Sequence, residues 1–199
     1  MHCVYQNITN MKIAIISSSV RIGRASHRVA LYFERYIKEH NLADVEILDL
    51  YEYQFPIFNE RLRLMKDPSD EVLEFAEDVM KADGIIIVTP EYNGSLPASL
   101  KNVIDLLYAE WKRKPIAVAT VSDGQYAGTQ VMTQVLFPLW KIGAWLVPAM
   151  FRVANVKESY DEQGNATDKP TTDKFAKGFV DELLWCMEAK RKMGTDIKL

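Results

Sequence analysis

The feature that most constrains this chain is a regular alternation of short apolar runs with amphipathic segments. Five runs have the length and composition of strands, at 12–17, 45–50, 84–89, 116–121 and 144–147. Each is followed by a segment with apolar residues at helical spacing, at 26–40, 68–82, 97–108, 128–142 and 172–190. Continuous apolar runs are typical of strands that are covered on both faces, as in parallel sheets. The alternation therefore predicts an α/β fold, a doubly wound five-stranded parallel sheet with helices on both faces.

The length of 199 residues suits one domain of this kind and leaves little room for a second. Neither an internal repeat nor a low-complexity linker interrupts the alternation. We expect the domain to cover 12–192. It is preceded by a flexible N-terminal extension at 1–11 and followed by a short C-terminal tail at 193–199.

Composition excludes several classes of protein. The net charge of −3 and the lack of a polybasic run argue against a nucleic-acid surface and against a charged membrane anchor. The longest apolar stretches, such as 84–88, are too short to span a bilayer, and 1–10 lacks the pattern of a signal peptide. Cys3 and Cys186 lie at opposite ends and the three histidines are scattered, so no metal site is predicted. We expect a cytoplasmic protein with neither nucleic acid nor membrane as a partner.

Three loops of unusual composition follow predicted strands, at 17–27, 90–97 and 122–128. Ligands of open α/β sheets bind outside the carboxyl ends of the strands, near the point where the strand order reverses. Each loop is a weak signal alone. Their expected meeting at one edge of the sheet predicts a binding site there.

The first loop contains hydroxyls, a glycine and arginines directly before a helix. A helix start offers unpaired N–H groups and a positive dipole end, which suit a phosphate. The serines at 17–19 and Ser26 can donate hydroxyl bonds, and Arg21 or Arg24 can add charge-assisted ones. The dinucleotide and Walker glycine patterns are missing, which argues against NAD bound here in Rossmann fashion and against an NTPase. The alternative is that Ser26 only caps the helix and that the arginines are solvated.

The second and third loops have features that suit a flat ring. Pro90 and Pro97 stiffen the ends of the second loop, and Asn93-Gly94 permits positive φ angles. Backbone groups in such a turn can contact the edge of a heterocycle while Tyr92 flanks it. The glycines of the third loop, at 122–128, allow a close backbone approach. The alternative is a plain turn followed by a helix start in the second loop, and an ordinary Ser/Gly loop in the third.

These segments resemble motifs of the NADPH-dependent FMN reductase family of flavodoxin-like proteins. Ser18-Ser19-Val20-Arg21 with Ser26 is similar to the family's phosphate loop, and 122–128 to its third loop. The segment 90–102 matches the longer pattern Pro-Glu-Tyr-Asn-Gly-x-x-Pro-x-x-Leu-Lys-Asn in full. The resemblance covers about 12–190 and implies a flavodoxin-like three-layer sandwich. Ser18 stands where the family usually has glycine, and Ala127-Gly128 where many members have two glycines.

The resemblance also implies a set of FMN contacts. It assigns the phosphate to Ser19, Arg21, Ser26 and His27, and the isoalloxazine ring to Pro90, Glu91, Tyr92 and Asn93, with Ser122 and Gly124 on the other side. The role of Arg24 is left open. A metal and a catalytic side chain are absent from this assignment.

The activity that the resemblance implies is ping-pong hydride transfer. Hydride passes from NADPH or NADH to bound FMN, and then to a small acceptor such as a flavin, a quinone or an azo compound. Two alternatives remain, which are a flavodoxin-type electron carrier and a flavin-binding sensor without turnover. The modest net charge argues against the carrier.

Family members are commonly homodimers or homotetramers, so the resemblance implies a homo-oligomer. Trp111, Trp140, Trp145 and the aromatic loop at 51–58 either line an interface between subunits or pack in the core.

Overall fold

The computed structural model describes residues 11–196, with side chains to residue 194. Five strands form one parallel sheet, and they are β1 Lys12–Ser17, β2 Asp44–Asp49, β3 Gly84–Pro90, β4 Pro115–Val121 and β5 Trp145–Val153. Their order across the sheet is β2-β1-β3-β4-β5. The strand order reverses at β1, so the carboxyl ends of β1 and β3 mark the expected ligand position.

The helices cover both faces of this sheet. They are α1 His27–Glu39, α2 Leu50–Tyr53, α3 Asp70–Lys81, α4 Ala98–Leu106, α5 Thr129–Lys141, α6 Val156–Ser159 and α7 Lys169–Asp196. Buried residues of α1 and α7 form one core cluster with the sheet, and those of α3, α4 and α5 form another. The predicted flavodoxin-like three-layer sandwich is therefore confirmed.

Burial follows the sequence pattern closely in the central strands. All seven residues of β3 and all seven of β4 are buried, because helices pack on both of their faces. In α1 the residues Val29, Ala30, Phe33 and Ile37 face the core, as their helical spacing predicts. Aromatic residues after β2 pack under their loop, where the Tyr53 and Phe55 rings stack 5.1 Å apart.

Three element boundaries differ from the sequence prediction by three residues or more. Strand β5 runs through Pro148 to Val153 rather than ending at 147. Proline is tolerated there because β5 is an edge strand whose register shifts opposite Ala117. Helix α7 begins at Lys169, with Pro170 in its first turn, and ends at Asp196, inside the expected tail.

The N-terminal boundary also differs by one residue. Met11 is buried, and its carbonyl accepts a hydrogen bond from the Asp44 N–H at 2.9 Å, so it belongs to the domain. The remainder of the expected extension, 1–10, lies outside the described residues, as does 197–199. Within the described part of the chain, no helix is both long enough and apolar enough to cross a membrane.

Candidate functional site

A cavity of about 210 Å³ lies at the carboxyl edge of the sheet, where the three loops meet. It is lined by Arg21, 23–26, Pro90, Glu91, Tyr92, 121–123, Val156 and Lys157. The predicted coincidence of the loops at one edge is thus confirmed. Of the ten predicted FMN contacts, Arg21, Ser26, Pro90, Glu91, Tyr92 and Ser122 line this cavity. Ser19, His27, Asn93 and Gly124 lie outside its lining.

Ser26 occupies the position before α1 but does not cap the helix with its side chain. Its backbone is already helical, with φ −62° and ψ −26°, and no hydrogen bond from the side chain to the helix forms. The residue is 4% exposed, and its Oγ is buried without a partner among the described residues. Buried hydroxyls are nearly always hydrogen-bonded in folded proteins. This orphaned donor beside a helix start therefore fits an anion in the cavity.

Arg21 and Ser19 have different positions in the same loop. Arg21 is exposed, and its guanidinium makes neither a hydrogen bond nor an ion pair with any residue that the structure describes. Ser19 is fully buried, and its Oγ lies 2.6 Å from the Tyr92 hydroxyl. Ser19 thus joins the first loop to the second, while Arg21 is available to a ligand.

Arg24 and His27 turn towards Asp49 at the end of β2. Both terminal nitrogens of Arg24 donate to the Asp49 carboxylate, in a bidentate ion pair. The His27 Nδ1 lies 3.0 Å from the Ser17 Oγ and 3.4 Å from the Asp49 Oδ2. Burial lowers the pKa of His27 in spite of the nearby Asp49 charge. His27 is consequently held against Asp49, and its contact with a phosphate stays a prediction.

The second loop forms a two-residue hairpin. Tyr92 and Ser95 exchange backbone hydrogen bonds of 2.9 and 3.0 Å. Asn93 and Gly94 between them have φ angles of 51° and 75°. Positive φ at both central residues is the requirement of a type I′ turn, for which Asn-Gly is the favoured pair. The sequence prediction for this dipeptide is confirmed.

The Glu91 side chain has a use that the sequence did not indicate. Its Oε2 accepts the backbone N–H groups of Gln130 at 2.9 Å and Val131 at 3.1 Å, in the first turn of α5. The Glu91 N–H donates to the Val121 carbonyl at 3.2 Å. The carboxylate thus ties the second loop to the third, and contact with a ring at this residue stays a prediction.

The third loop is closed by contacts with the segment after β5. The Ser122 Oγ donates to the Gly124 carbonyl at 2.7 Å, and that carbonyl also accepts the Asn155 N–H at 3.2 Å. Ala127 and Gly128 have φ angles of 54° and 68°. A Cβ on Gly128 would lie 2.9 Å from the Thr120 Cβ, so this position has little room for a side chain.

Sequence reasoning missed the contribution of α6, the short helix that follows β5. Lys157 and Asp123 both line the cavity and form an ion pair of 2.7 Å. The sequence prediction ended the fifth strand at 147. With that end, the residues after Val153 are not expected at the carboxyl edge of the sheet. Recognising Pro148 as an edge-strand proline would have placed them there.

The residues present fit FMN. The orphaned Ser26 hydroxyl and the uncommitted Arg21 suit its phosphate at the start of α1. Pro90, Tyr92 and Ser122 line the same cavity and suit a flat ring system. In the part of the chain that the structure describes, no group of three or more His, Cys, Asp or Glu side chains could hold a metal ion. Fold and site together define a flavodoxin-like protein that binds a mononucleotide.

Comparison with known proteins identifies the family. The profile of the NADPH-dependent FMN reductases matches residues 11–158, which is most of the domain. The chain therefore belongs to the NADPH-dependent FMN reductase family.

Curated relatives have reductase names. An NAD(P)H-dependent FMN reductase of Saccharomyces cerevisiae is 34% identical over 63% of this chain and 71% of its own. A quinone reductase of Pseudomonas putida is 30% identical over 85% of this chain and 91% of its own. An FMN-dependent NADPH-azoreductase of Staphylococcus haemolyticus is 27% identical over 87% and 94%. The matches to three fungal FMN reductases span 63–71% of their lengths.

A solved structure agrees with this assignment. The flavoenzyme FerB of Paracoccus denitrificans, an NAD(P)H:acceptor oxidoreductase, superposes with a TM-score of 0.72 at 26% identity. The superposition covers 90% of this chain and 98% of that protein, so the similarity extends beyond the segment 11–158.

Proposed function

We propose that this protein is an FMN-containing oxidoreductase that uses NADPH or NADH to reduce a small-molecule acceptor. One observation carries the proposal. A single cavity joins the unpartnered Ser26 hydroxyl and the uncommitted Arg21 to the Pro90–Tyr92 loop. That arrangement supports a phosphate site at the start of α1 and a ring site beside the second loop, within one cavity, as the two ends of an FMN molecule require.

The chain's own residues bind and orient the cofactor. Ser19, Arg21, Ser26 and the start of α1 hold the phosphate, while Pro90, Tyr92 and Ser122 border the ring. The proposal also keeps the remaining predicted contacts, which are His27, Glu91, Asn93 and Gly124. Glu91 lines the cavity, and each of the other three directly follows a residue that lines it. When bound, FMN supplies hydride transfer between the nicotinamide and the acceptor. The protein then needs no nucleophile and no proton-transferring side chain.

The acceptor class is proposed from the names of relatives. Quinone and azo compounds appear in the names of the Pseudomonas and Staphylococcus proteins. We extend both classes, together with free flavin, to this chain. All three are flat conjugated electron acceptors.

A homodimer or homotetramer in the cytoplasm completes the proposal. Apolar side chains are exposed in the connections that follow β1 and β2, with Ile22 at 89% and Ile57 at 90%. Large exposed apolar surfaces commonly mark protein–protein contacts. Trp140 is also 63% exposed, whereas Trp111 is fully buried and belongs to the core.

The test is anaerobic reduction of the purified, FMN-loaded protein by NADPH and by NADH. We expect the visible flavin absorbance to bleach, and to return when a quinone or azo compound is added. Persistent flavin colour with both nicotinamides would make the protein an electron carrier or a sensor instead. Failure to take up FMN at all would overturn the assignment.

A further inference from the structure

Arg24 lines the cavity, but its guanidinium is committed to contacts inside the protein. Beyond its bidentate pair with Asp49, its Nη1 donates to the Ser19 carbonyl at 2.8 Å. Its guanidinium lies 4.6 Å from the ring centroid of Tyr51. The side chains of Arg24 and Asp49 are 14% and 12% exposed, so most of the pair is removed from water.

These contacts close the first loop and attach it to the next strand. The bond from Arg24 to Ser19 spans five residues, so it fixes both ends of the turn that presents Arg21. Within that turn the Arg24 N–H donates to the Arg21 carbonyl at 3.2 Å. Asp49 ends β2 and accepts the Tyr51 N–H at 3.1 Å, which places the anchor on a rigid part of the sheet.

The two arginines of the first loop differ in whether a carboxylate neutralises them. The Asp49 carboxylate neutralises Arg24, whereas Arg21 lines the cavity and forms no ion pair with a described residue. Turning Arg24 towards a phosphate would leave the mostly buried Asp49 carboxylate without its arginine partner beside that phosphate, which is costly. Arg24 is therefore poorly suited to be a ligand.

We propose that Arg24 and Asp49 are positioning residues that hold the phosphate loop in its binding shape, and that Arg24 does not contact the phosphate. This inference rests on the proposed function, in which the first loop receives the FMN phosphate. It assigns a role to an arginine that the sequence left open. It also makes Asp49, outside every motif of the sequence analysis, part of the cofactor site.

Binding of FMN and of riboflavin, measured by quenching of flavin fluorescence, tests the proposal. Riboflavin shares the ring but lacks the phosphate. We expect Arg24→Gln and Asp49→Asn each to weaken FMN binding by about tenfold, the value of one charge-assisted hydrogen bond. Riboflavin binding should stay within about twofold of the wild type, because the ring site is untouched.

The sign of the Asp49→Asn effect is decisive. Removing a carboxylate near a bound dianion strengthens binding on electrostatic grounds alone. If Arg24 were a phosphate ligand, losing Asp49 would also free it to bind. Tighter FMN binding by Asp49→Asn would therefore overturn the proposal. Weaker binding, despite the lost negative charge, supports it.

Two further variants distinguish positioning from charge. In Arg24→Lys the positive charge remains but the planar fork is lost. We expect it to bind FMN as weakly as Arg24→Gln, and wild-type affinity would contradict the proposal. The double variant Arg24→Gln/Asp49→Asn should lose no more affinity than either single variant, since one pair is broken in all three. Additive losses would contradict a shared role.

The matched control is Glu188→Gln, which breaks a carboxylate–arginine pair with Arg191 on α7, and neither residue lines the cavity. We expect FMN binding to be unchanged. Equal loss of riboflavin binding in the Arg24 and Asp49 variants would show general disruption and count against the proposal. A wild type that does not prefer FMN over riboflavin would instead refute the phosphate-loop assignment of the proposed function.

Discussion

Ser26 is the residue whose environment most directly indicates a missing partner. Its hydroxyl is buried and has no hydrogen-bond partner in the part of the chain that the structure describes, although the sequence alternative of a helix cap would have satisfied it. A cap requires a backbone outside the helical region before the first turn, and Ser26 is already helical. The hydroxyl therefore lacks its usual local acceptor or donor and is left to a ligand.

This predicts opposite effects of Ser26→Ala in the two states of the protein. Without FMN the variant should be more stable by about 1 kcal/mol, because an unsatisfied buried polar group is removed. FMN affinity should fall by a similar amount, because a donor to the phosphate is lost. Urea unfolding of the cofactor-free protein and fluorescence titration measure the two. A variant that is less stable without FMN would mean that the hydroxyl has a structural partner.

Arg21 carries the clearest prediction for affinity. Arg21→Ala should weaken FMN binding by about 1.5–3 kcal/mol, the range for a hydrogen bond to a charged group. Riboflavin binding should not change. Arg191→Ala, which removes an exposed arginine paired with Glu188 on α7, is the matched control and should leave FMN binding intact. Unchanged FMN affinity in Arg21→Ala would remove this residue from the site.

At the scale of elements, the loops are held by helix ends as well as by strands. The Glu91 carboxylate accepts two N–H groups at the start of α5, where the helix dipole also favours negative charge. Glu91→Ala should therefore lower the free energy of unfolding by about 1–2 kcal/mol and Tm by about 2–8 °C. Calorimetry measures the Tm of Glu91→Ala. The control is Glu162→Ala, which removes a carboxylate whose side chain is 82% exposed. Equal Tm values would show that the cap contributes nothing.

A second helix end predicts a dependence on pH. The Lys114 Nζ donates to the Met80 carbonyl at 3.0 Å and to the Ala82 carbonyl, at the end of α3. Burial, with a smaller contribution from the Lys190 charge, lowers the pKa of Lys114 to about 8, from 10.5. Between these values the unfolded chain binds the proton and the folded chain does not. This group therefore makes the protein more stable as pH rises from about 8 to 10.5.

Comparison of the wild type with Lys114→Met isolates the effect of that lysine. Other titrating groups cancel in the difference between the two proteins. We expect the wild type to gain stability relative to Lys114→Met between pH 8 and about 10 in urea unfolding curves. A difference that does not vary with pH would show that Lys114 titrates normally.

The whole molecule should be stabilised by its cofactor. A ligand that binds only the folded state adds about 2.7 kcal/mol at a hundred times its Kd. For a domain of this size that corresponds to an increase of about 5–10 °C in Tm. Scanning calorimetry with FMN checks this, and Arg21→Ala should reduce the shift at the same FMN concentration. An FMN-independent Tm would contradict cofactor binding at the site.

The sequence by itself determined the layers and the place of the site. Apolar periodicity and turn residues are local signals, so the central strands, the core face of α1 and the positive φ angles at Asn93-Gly94 were predictable. Family motifs added the expected cofactor. The predicted fifth strand ended too early, because Pro148 and the exposed Arg152 break the pattern of a buried strand.

Only the tertiary structure decided which ion pairs and hydrogen bonds the charged side chains form. Arg21 and Arg24 are equivalent in the sequence and both line the cavity, yet only Arg24 forms an ion pair with a described residue, Asp49 at the end of β2. Glu91 likewise reaches a helix that starts 38 residues later, at Thr129. Such pairs join residues far apart in the chain, and their energies depend on burial and distance, which no local pattern encodes. The site's location followed from the sequence, and the role of each charge in it followed from the fold.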